Sequence, residues 1–486
     1  MALKIKVSNK MKPILDPGFI PAVLWNRAYR EAVKDSGSGD KLTIALERGD
    51  RTISTYSTEI LPRKKEWDNL NVKYIERIVK FLLWMKGGYK ITMAGSKEMA
   101  DVIRKIYSSS GERKFDDDII GEKIYGKKIE VLDCPIEKAP SAREIDIPLG
   151  GHFDGCRIGF DLGGSDRKCA AVIDGKVVFT EEVPWDPYVQ KDPKWHKEGV
   201  NDSLKRAAAK LPRVDAIGGS AAGAYVNNQV RAASLFRGIS EEDFKKYICN
   251  MFLELQKEWN NVPFVVVNDG EVTALAGAIT MNTNTLLGIA MGTSQAAGYV
   301  TPKGNITNWL NELAFVPVDY RDNAPVDEWS GDMGCGSQYF SQQAVARLAP
   351  VAGIDFPKEM PLPERLVEVQ KLMAAGDKRA RKIYETIGTY LGYTVAHYAD
   401  FYDMKNLLVL GRVTTGTGGD LIISTAAEIL KEEFPELASS IKLRTPDEKS
   451  KRLGQAVVAA SLPILKKNKD RDATIKGDGH AGWYLA

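Results

Sequence analysis

Apolar and polar positions alternate first in LTIALE (Leu42–Glu47) and RTISTYSTEI (Arg51–Ile60), which predicts two strands. NVKYIERIVKFLLWMK (Asn71–Lys86) then switches to helical spacing, and YKITMAG leads into SKEMADVIRKIYSS as strand then helix, with Ser96 as the N-cap. The Pro-, Gly- and charge-rich stretch DCPIEKAPSAREIDIPLGGHFDG reads as a linker or an extended connection. Beyond it, CRIGFDL, AAVI and KVVFTEEV predict three short strands joined by tight turns, one of them at Asp174-Gly175. VDAIGGSAAG and PFVVVNDG are apolar runs that end in Gly or Asp, as buried parallel strands do before a loop. The hairpin theme returns in TLLGIAMGTSQAAGYVTPKGNIT, which predicts a duplicated, two-lobed body. A long helix from Arg379 to Met404, the strand NLLVLGRV, the loop TTGTGG, the helix DLIISTAAEILKEEF and a last amphipathic helix in KSKRLGQAVVAASLPILKK complete the pattern.

Composition narrows the class without choosing a function. The chain has 486 residues, 44% hydrophobic and 27% charged, enough for two or three domains with substantial cores. A net charge of +3 is too small for a dedicated polyanion binder. Five scattered cysteines with no CxxC pair predict a reducing compartment rather than a disulfide framework. The start has no apolar signal core and no 18-residue apolar run occurs, so a cytoplasmic protein is expected. The four histidines (His152, His196, His397 and His480) share no metal-ligand spacing.

Two glycine-bearing bends and one aspartate carry the candidate chemistry. Backbone N–H groups converge at such bends, and glycine lets an anion approach without a Cβ in the way. Gly163, Gly164 and Ser165 would form one cradle, with Lys168 adding charge or pointing outward; a plain hairpin with solvated charges is the other reading. Gly292, Thr293 and Ser294 offer a second set of amides and hydroxyls. Asp269 follows an apolar strand and opens a helical pattern, a position that suits either a catalytic carboxylate or a simple N-cap. Trp185, Tyr188 and Trp195 would either stack on a sugar face or pack within a Pro-rich surface loop.

Taken in order, DLGGSDRKCAAV, VVVNDGEVTALAGA, LLGIAMGTSQAAGYV, NELAF and LLVLGR resemble the ROK family of sugar kinases and repressors, within the sugar kinase/Hsp70/actin superfamily, over about residues 156–466. The resemblance implies an α/β, two-lobe, ribonuclease-H-like (actin-like ATPase) kinase fold, and residues 1–150, which it does not cover, read as an additional N-terminal α/β domain. The expected domains are an accessory α/β domain of unknown role over 1–150, a first lobe over 151–282 together with a C-terminal helix at 448–468, and a second lobe over 283–447. ATP and Mg²⁺ are the implied cofactors. Asp161 would hold Mg²⁺ through water, since that ion keeps much of its hydration shell. Asp269 would orient and deprotonate the acceptor hydroxyl. Asn268, Glu312, Gln342 and Ser234 fall at the substrate-side positions, and Gly411 at an adenosine-contacting one. Arg412 would either stack on adenine or lie on the surface.

The stretch Gln295-Ala296-Ala297-Gly298 is poorer in glycine than the family's loop and Arg412 stands where a further glycine is expected, and the substrate side departs further. Phe315, Met333 and Phe340 stand at three of four zinc-ligand positions and leave only Cys335, so no structural zinc is expected. Gln342 replaces a sugar-binding Glu, and the segment ASLFRG lacks a sugar-contacting Asn. The expected activity is ATP-dependent phosphorylation of a sugar or sugar-like alcohol. The alternative is a ROK-type transcriptional regulator or a catalytically decayed sugar sensor. Residues 1–150 show no basic recognition helix, so nucleic acid is not an expected partner. That block would cap the sugar cleft or make an oligomer contact, such as a homodimer.

Overall fold

The computed structural model describes residues 5–145, 149–446 and 454–465. Strands β1 (Asp40–Glu47), β2 (Ile53–Ile60), β3 (Lys90–Ala94) and β4 (Glu130–Cys134) form an N-terminal sheet ordered β2-β1-β3-β4. Strand β1 is antiparallel to both its neighbours and β4 is parallel to β3. The predicted helix over 71–86 spans Asp68–Lys86, and Ser96 caps the helix Lys97–Ile106 by accepting from the Met99 amide.

Two further sheets repeat one plan. In the first, β5 (Cys156–Leu162), β6 (Asp166–Ile173) and β7 (Lys176–Pro184) form an antiparallel meander that turns at Asp174-Gly175. Strands β8 (Ala216–Ala221) and β11 (Phe264–Asn268) extend it in parallel, giving the order β11-β8-β5-β6-β7. A small hairpin of β9 (Ala224–Val226) and β10 (Gln229–Ala232) rises between them in sequence. In the second sheet, β12 (Leu286–Met291) and β13 (Gln295–Val300) form the hairpin, and β14 (Asn406–Leu410) and β15 (Lys442–Arg444) add in parallel, in the order β13-β12-β14-β15. Each unit thus starts with a hairpin and then stacks parallel strands on the hairpin's first strand.

Two helices lie between these sheets, Asp269–Thr280 and Gln455–Ala460. Val272, Leu275 and Ala278 of one meet Val458 and Ala459 of the other, together with Leu286, Val300 and Leu408 of the second sheet. Glycine permits a close approach: a Cβ on Gly298 of β13 would meet the Gly270 carbonyl oxygen at 2.2 Å, and a Cβ on Gly270 would meet the Ala297 oxygen at 2.3 Å. The expected C-terminal helix lies against β5, β6 and β8 through its described part, while 448–453 and 466–468 fall outside the described residues.

The expected accessory block has its own sheet but not its own core. Phe19, Tyr29, Tyr74, Trp84 and Ile91 belong to one continuous apolar core with Tyr299, Val318, Tyr339, Tyr390 and Val409 of the second lobe, whereas the first lobe packs separately around Phe160, Phe252 and Phe264. A buried charge cluster joins the same two regions. Arg77 and Lys80 reach Asp332 at 3.0 and 3.3 Å, Arg113 reaches it at 2.8 Å, Glu76 pairs with Arg77 and Arg113, and Asp116 pairs with Lys80. Burial alone would raise the Asp332 carboxyl, but Arg77 and Lys80 hold it below its ordinary range. No helix among the described residues is long and apolar enough to cross a membrane.

Gly298→Ala forces the helix Asp269–Thr280 away from β13. The expected loss of stability is about 1–3 kcal/mol or more in chemical denaturation; an unchanged midpoint contradicts the close approach.

Candidate active site

Asp161 sits near the end of β5, buried, where β8 and the last helix converge on it. Ser220 of β8 donates to its Oδ1 at 2.6 Å. Gln455, with its amide nitrogen turned toward the carboxylate, donates to both oxygens at 3.0 and 3.2 Å and accepts from Thr273 Oγ1. Lys168 Nζ is 4.0 Å from Asp161 and 2.7 Å from Asp166, so its charge is held in the site rather than turned away. Burial pushes Asp161 up to about 6; Ser220 and Lys168 oppose the rise, and the charge of Asp269 adds to it. Asp161 and Asp269 therefore act on each other, although 108 positions separate them in the chain.

Asp269 is the first residue of its helix but not the cap. Asn268 is, accepting from the Gly270 amide at 2.7 Å while its own amide nitrogen donates to the Gly223 carbonyl at 2.8 Å. Both ends of the Asn268 side chain, expected at a substrate-side position, are thus bound to backbone. The cap leaves the Asp269 carboxylate with backbone donors, the Gly270 amide at 2.9 Å and its own amide, and the residue is half-buried. Burial raises its pKa.

Glu312 approaches from the second lobe. It precedes a 3₁₀ turn, Leu313–Phe315, and burial together with the nearby Asp269 pushes its carboxyl up to about 8. Its position comes from behind: the Glu312 amide donates to the Trp84 carbonyl at 3.0 Å and the Asn311 amide to the Met85 carbonyl at 2.9 Å, both at the end of the helix Asp68–Lys86. Asn311 also donates to Glu271 Oε1 at 2.5 Å and accepts from Tyr402 at 2.7 Å. Glu271 itself is buried and pushed up to about 8, with Asn311 and the Tyr299 amide opposing the rise. A chain of hydrogen bonds thus ties the Glu312 turn to the helix that begins with Asp269.

Both expected cradles are turns with unspent donors. The amides of Gly164, Ser165, Thr293 and Ser294 have no hydrogen-bond partner among the described residues, while Gly163 and Gly292 close the turns by donating to Asp166 and Ser294 oxygens at 2.9 and 3.0 Å. Four N–H groups and the Lys168 cation suit a polyphosphate, and buried Asp161 beside them suits a hydrated divalent cation. Gln342 lies against the second turn, its amide on the Gly292 carbonyl at 2.9 Å and its buried Oε1 without a partner among the described residues. Gly411, at φ 106°, packs on the Met291 backbone, where a Cβ would come within 2.5 Å, and so adjoins the same turn. Arg412 is exposed beside a hollow of about 310 Å³ lined by Pro363, Val367, Gln370 and Thr415.

Other expected positions take structural surroundings. Ser234 is exposed in a 3₁₀ turn whose Arg237 lies 3.9 Å over the Tyr188 ring, and Tyr188 crowds Gly164, so this segment borders the first cradle. Trp185 donates to the Gly163 carbonyl at 2.8 Å and stacks on Trp195, which buttresses that cradle from outside. At the positions of the family's zinc ligands, Phe315 packs on Trp84, Phe340 and Cys335 are buried, and Met333 is exposed next to the charge cluster around Asp332. Ser220, Gln455 and Tyr225, whose hydroxyl pKa is raised by burial and by Asp269, were not among the sequence candidates. Only the small-residue run GGSAAG around Ser220 offered a signal.

The same arrangement of the chain is found in solved structures. The ROK hexokinase from Thermus thermophilus matches with a TM-score of 0.50 at 17% identity, over 63% of this chain and 97% of that one. The chain has the ROK fold. A ROK family transcriptional regulator, a homolog of the E. coli MLC protein, matches with a TM-score of 0.51 at 17% identity over 64% of this chain and 79% of that one. The ROK fold thus accounts for about two thirds of the residues, which is consistent with an extra region. No family model matches the sequence, and no curated protein matches it.

A carboxyl raised to about 8 binds a proton in the folded ROK body that the unfolded chain has already released near 4.5, so folding stability falls as pH rises between those values. Glu312→Gln removes this dependence. Its melting temperature should match wild type near pH 4 and exceed it by roughly 2–5 °C at pH 8; an offset that is constant across this range contradicts the shift.

Proposed function

We propose that the protein transfers the terminal phosphoryl group of ATP to a hydroxyl of a sugar or sugar-like alcohol. The supporting observation is the convergence of Asp161, Asp269 and Glu312, one from each of three separate elements, beside two turns with unspent amides. Phosphoryl transfer asks for this arrangement, in which donors hold the phosphates and a carboxylate aligns the attacking oxygen.

Asp269 is the base. Asn268 occupies the cap, so the Asp269 carboxylate remains available to accept the acceptor's proton as its oxygen bonds to phosphorus and the bond to the departing ADP oxygen breaks. The two turns hold the phosphates through Gly164, Ser165, Thr293 and Ser294, and Lys168 adds positive charge. Asp161, oriented by Ser220 and Gln455, would hold the Mg²⁺ that neutralises charge on the nucleotide's phosphates. Glu312, protonated below about pH 8 before the acceptor arrives, donates to or accepts from a second hydroxyl of the same molecule. Gly411 and the hollow beside Arg412 receive the nucleoside.

ADP release across a panel of hexoses, amino sugars and polyols tests this reading. Turnover should occur on at least one member and fall about 10²–10⁴-fold in Asp269→Asn. Sugar binding without ADP release from any member supports a sensing role and overturns the kinase reading.

A further inference from the structure

The helical segment Asp117–Tyr125 of the N-terminal region touches β9 and β10 of the first lobe, although the rest of that region shares its core with the second lobe. The preceding residues reach the second lobe: Phe115 lies 5.4 Å from Phe315 and 6.0 Å from Trp84, and Trp84 lies 4.4 Å from Phe315. The stretch 113–125 therefore runs from the Glu312 turn to the hairpin that carries Tyr225, and both Glu312 and Tyr225 lie within the electrostatic reach of Asp269.

Phe315 ends the 3₁₀ turn that Glu312 precedes, and its amide donates to the Glu312 carbonyl at 3.4 Å. Leu313 and Ala314 are buried, whereas Glu312 and Phe315 are both half-buried. Phe115 is also half-buried, and it is fixed from both flanks by the charge cluster. Arg113 is bound to Glu76 and Asp332, while Asp116 is bound to Lys80 and accepts from the Trp84 indole at 3.1 Å. One aromatic ring thus lies on the turn that follows Glu312, and a second packs on it from a segment flanked by buried ion pairs.

We infer that Phe115 and Phe315 form an apolar wall of the acceptor pocket, roofed by residues 113–125, and that the acceptor is a sugar-like alcohol bearing an apolar substituent or face. This rests on the reading that Asp269 and Glu312 face the acceptor. The carboxylates take its hydroxyls, and the aromatic edges take the part without them. An unsubstituted hexose, with hydroxyls around its whole rim, leaves polar groups unpaired against Phe315 and is disfavoured for that reason.

The test compares D-glucose, D-mannose and D-galactose with their phenyl glycosides, by calorimetric binding to the full chain without nucleotide and by ADP release in parallel. At least one phenyl glycoside should bind about tenfold or more tightly than its parent hexose. The difference should vanish in Phe115→Ala and largely return in Phe115→Leu, with KM for ATP unchanged. Equal affinities for every pair, no binding of any glycoside, or a preference that survives in both Phe115→Ala and Phe315→Ala overturns the inference. Should Phe115→Ala not fold, the wild-type comparison and Phe315→Ala still decide it. A Phe115-dependent preference without ADP release removes the kinase reading and leaves the wall; ADP release on free hexoses with no preference removes the wall alone.

Discussion

Gly270 and Gly298 bring the helix Asp269–Thr280 against β13 at a separation that admits no side chain, and this contact sets where everything else in the site lies. The helix follows β11 of the first lobe and packs on the hairpin of the second, so its first residue is fixed at the junction of the two. Glu271, two residues on, bonds the Tyr299 amide and Asn311, which continues the junction into the turn carrying Glu312. A shift of the helix by the width of a methyl group moves Asp269 relative to Asp161 and Glu312 together. Alignment on that scale governs reactions in which the protein supplies position and charge.

Acids made costly to ionise surround the same junction. Asp161 and Glu312 are both raised by burial and further by the charge of Asp269, so each is easier to ionise once a cation or a hydroxyl network replaces the lost water. These carboxyls therefore carry an unfavourable burial cost in the folded protein. The rest of the protein is stabilised elsewhere, in the continuous core that the N-terminal region shares with the second lobe and in the neutral cluster of three acids and three bases around Asp332. Removing one member of such a cluster costs far more than the cluster contributes as a whole.

The hairpins, the parallel strands that follow them and Asp269 were legible because glycine at bends and apolar runs ending in Asp are local signals. The role of Asn268 as the cap was not, since Asn and Asp both suit that position and only the fold decides between neighbours. Glu76, Arg77 and Lys80 interrupt NVKYIERIVKFLLWMK like a solvated face, yet all three are buried. Their partners, Arg113, Asp116 and Asp332, lie 36 to 255 positions away, and no local pattern announces them. The same distance hid Gln455 from Asp161. The N-terminal block read as an independent α/β unit because its strands and helices are regular, while the sharing of its core is a tertiary property.

A crystal structure with a non-hydrolysable magnesium ATP analogue tests the central claim most directly. The account predicts the β- and γ-phosphates between the turns at Gly164-Ser165 and Thr293-Ser294, the metal within one water of Asp161, and the γ-phosphate facing Asp269. A nucleotide bound away from both turns, or phosphates with Asp161 and Asp269 on opposite sides of the molecule, contradicts it.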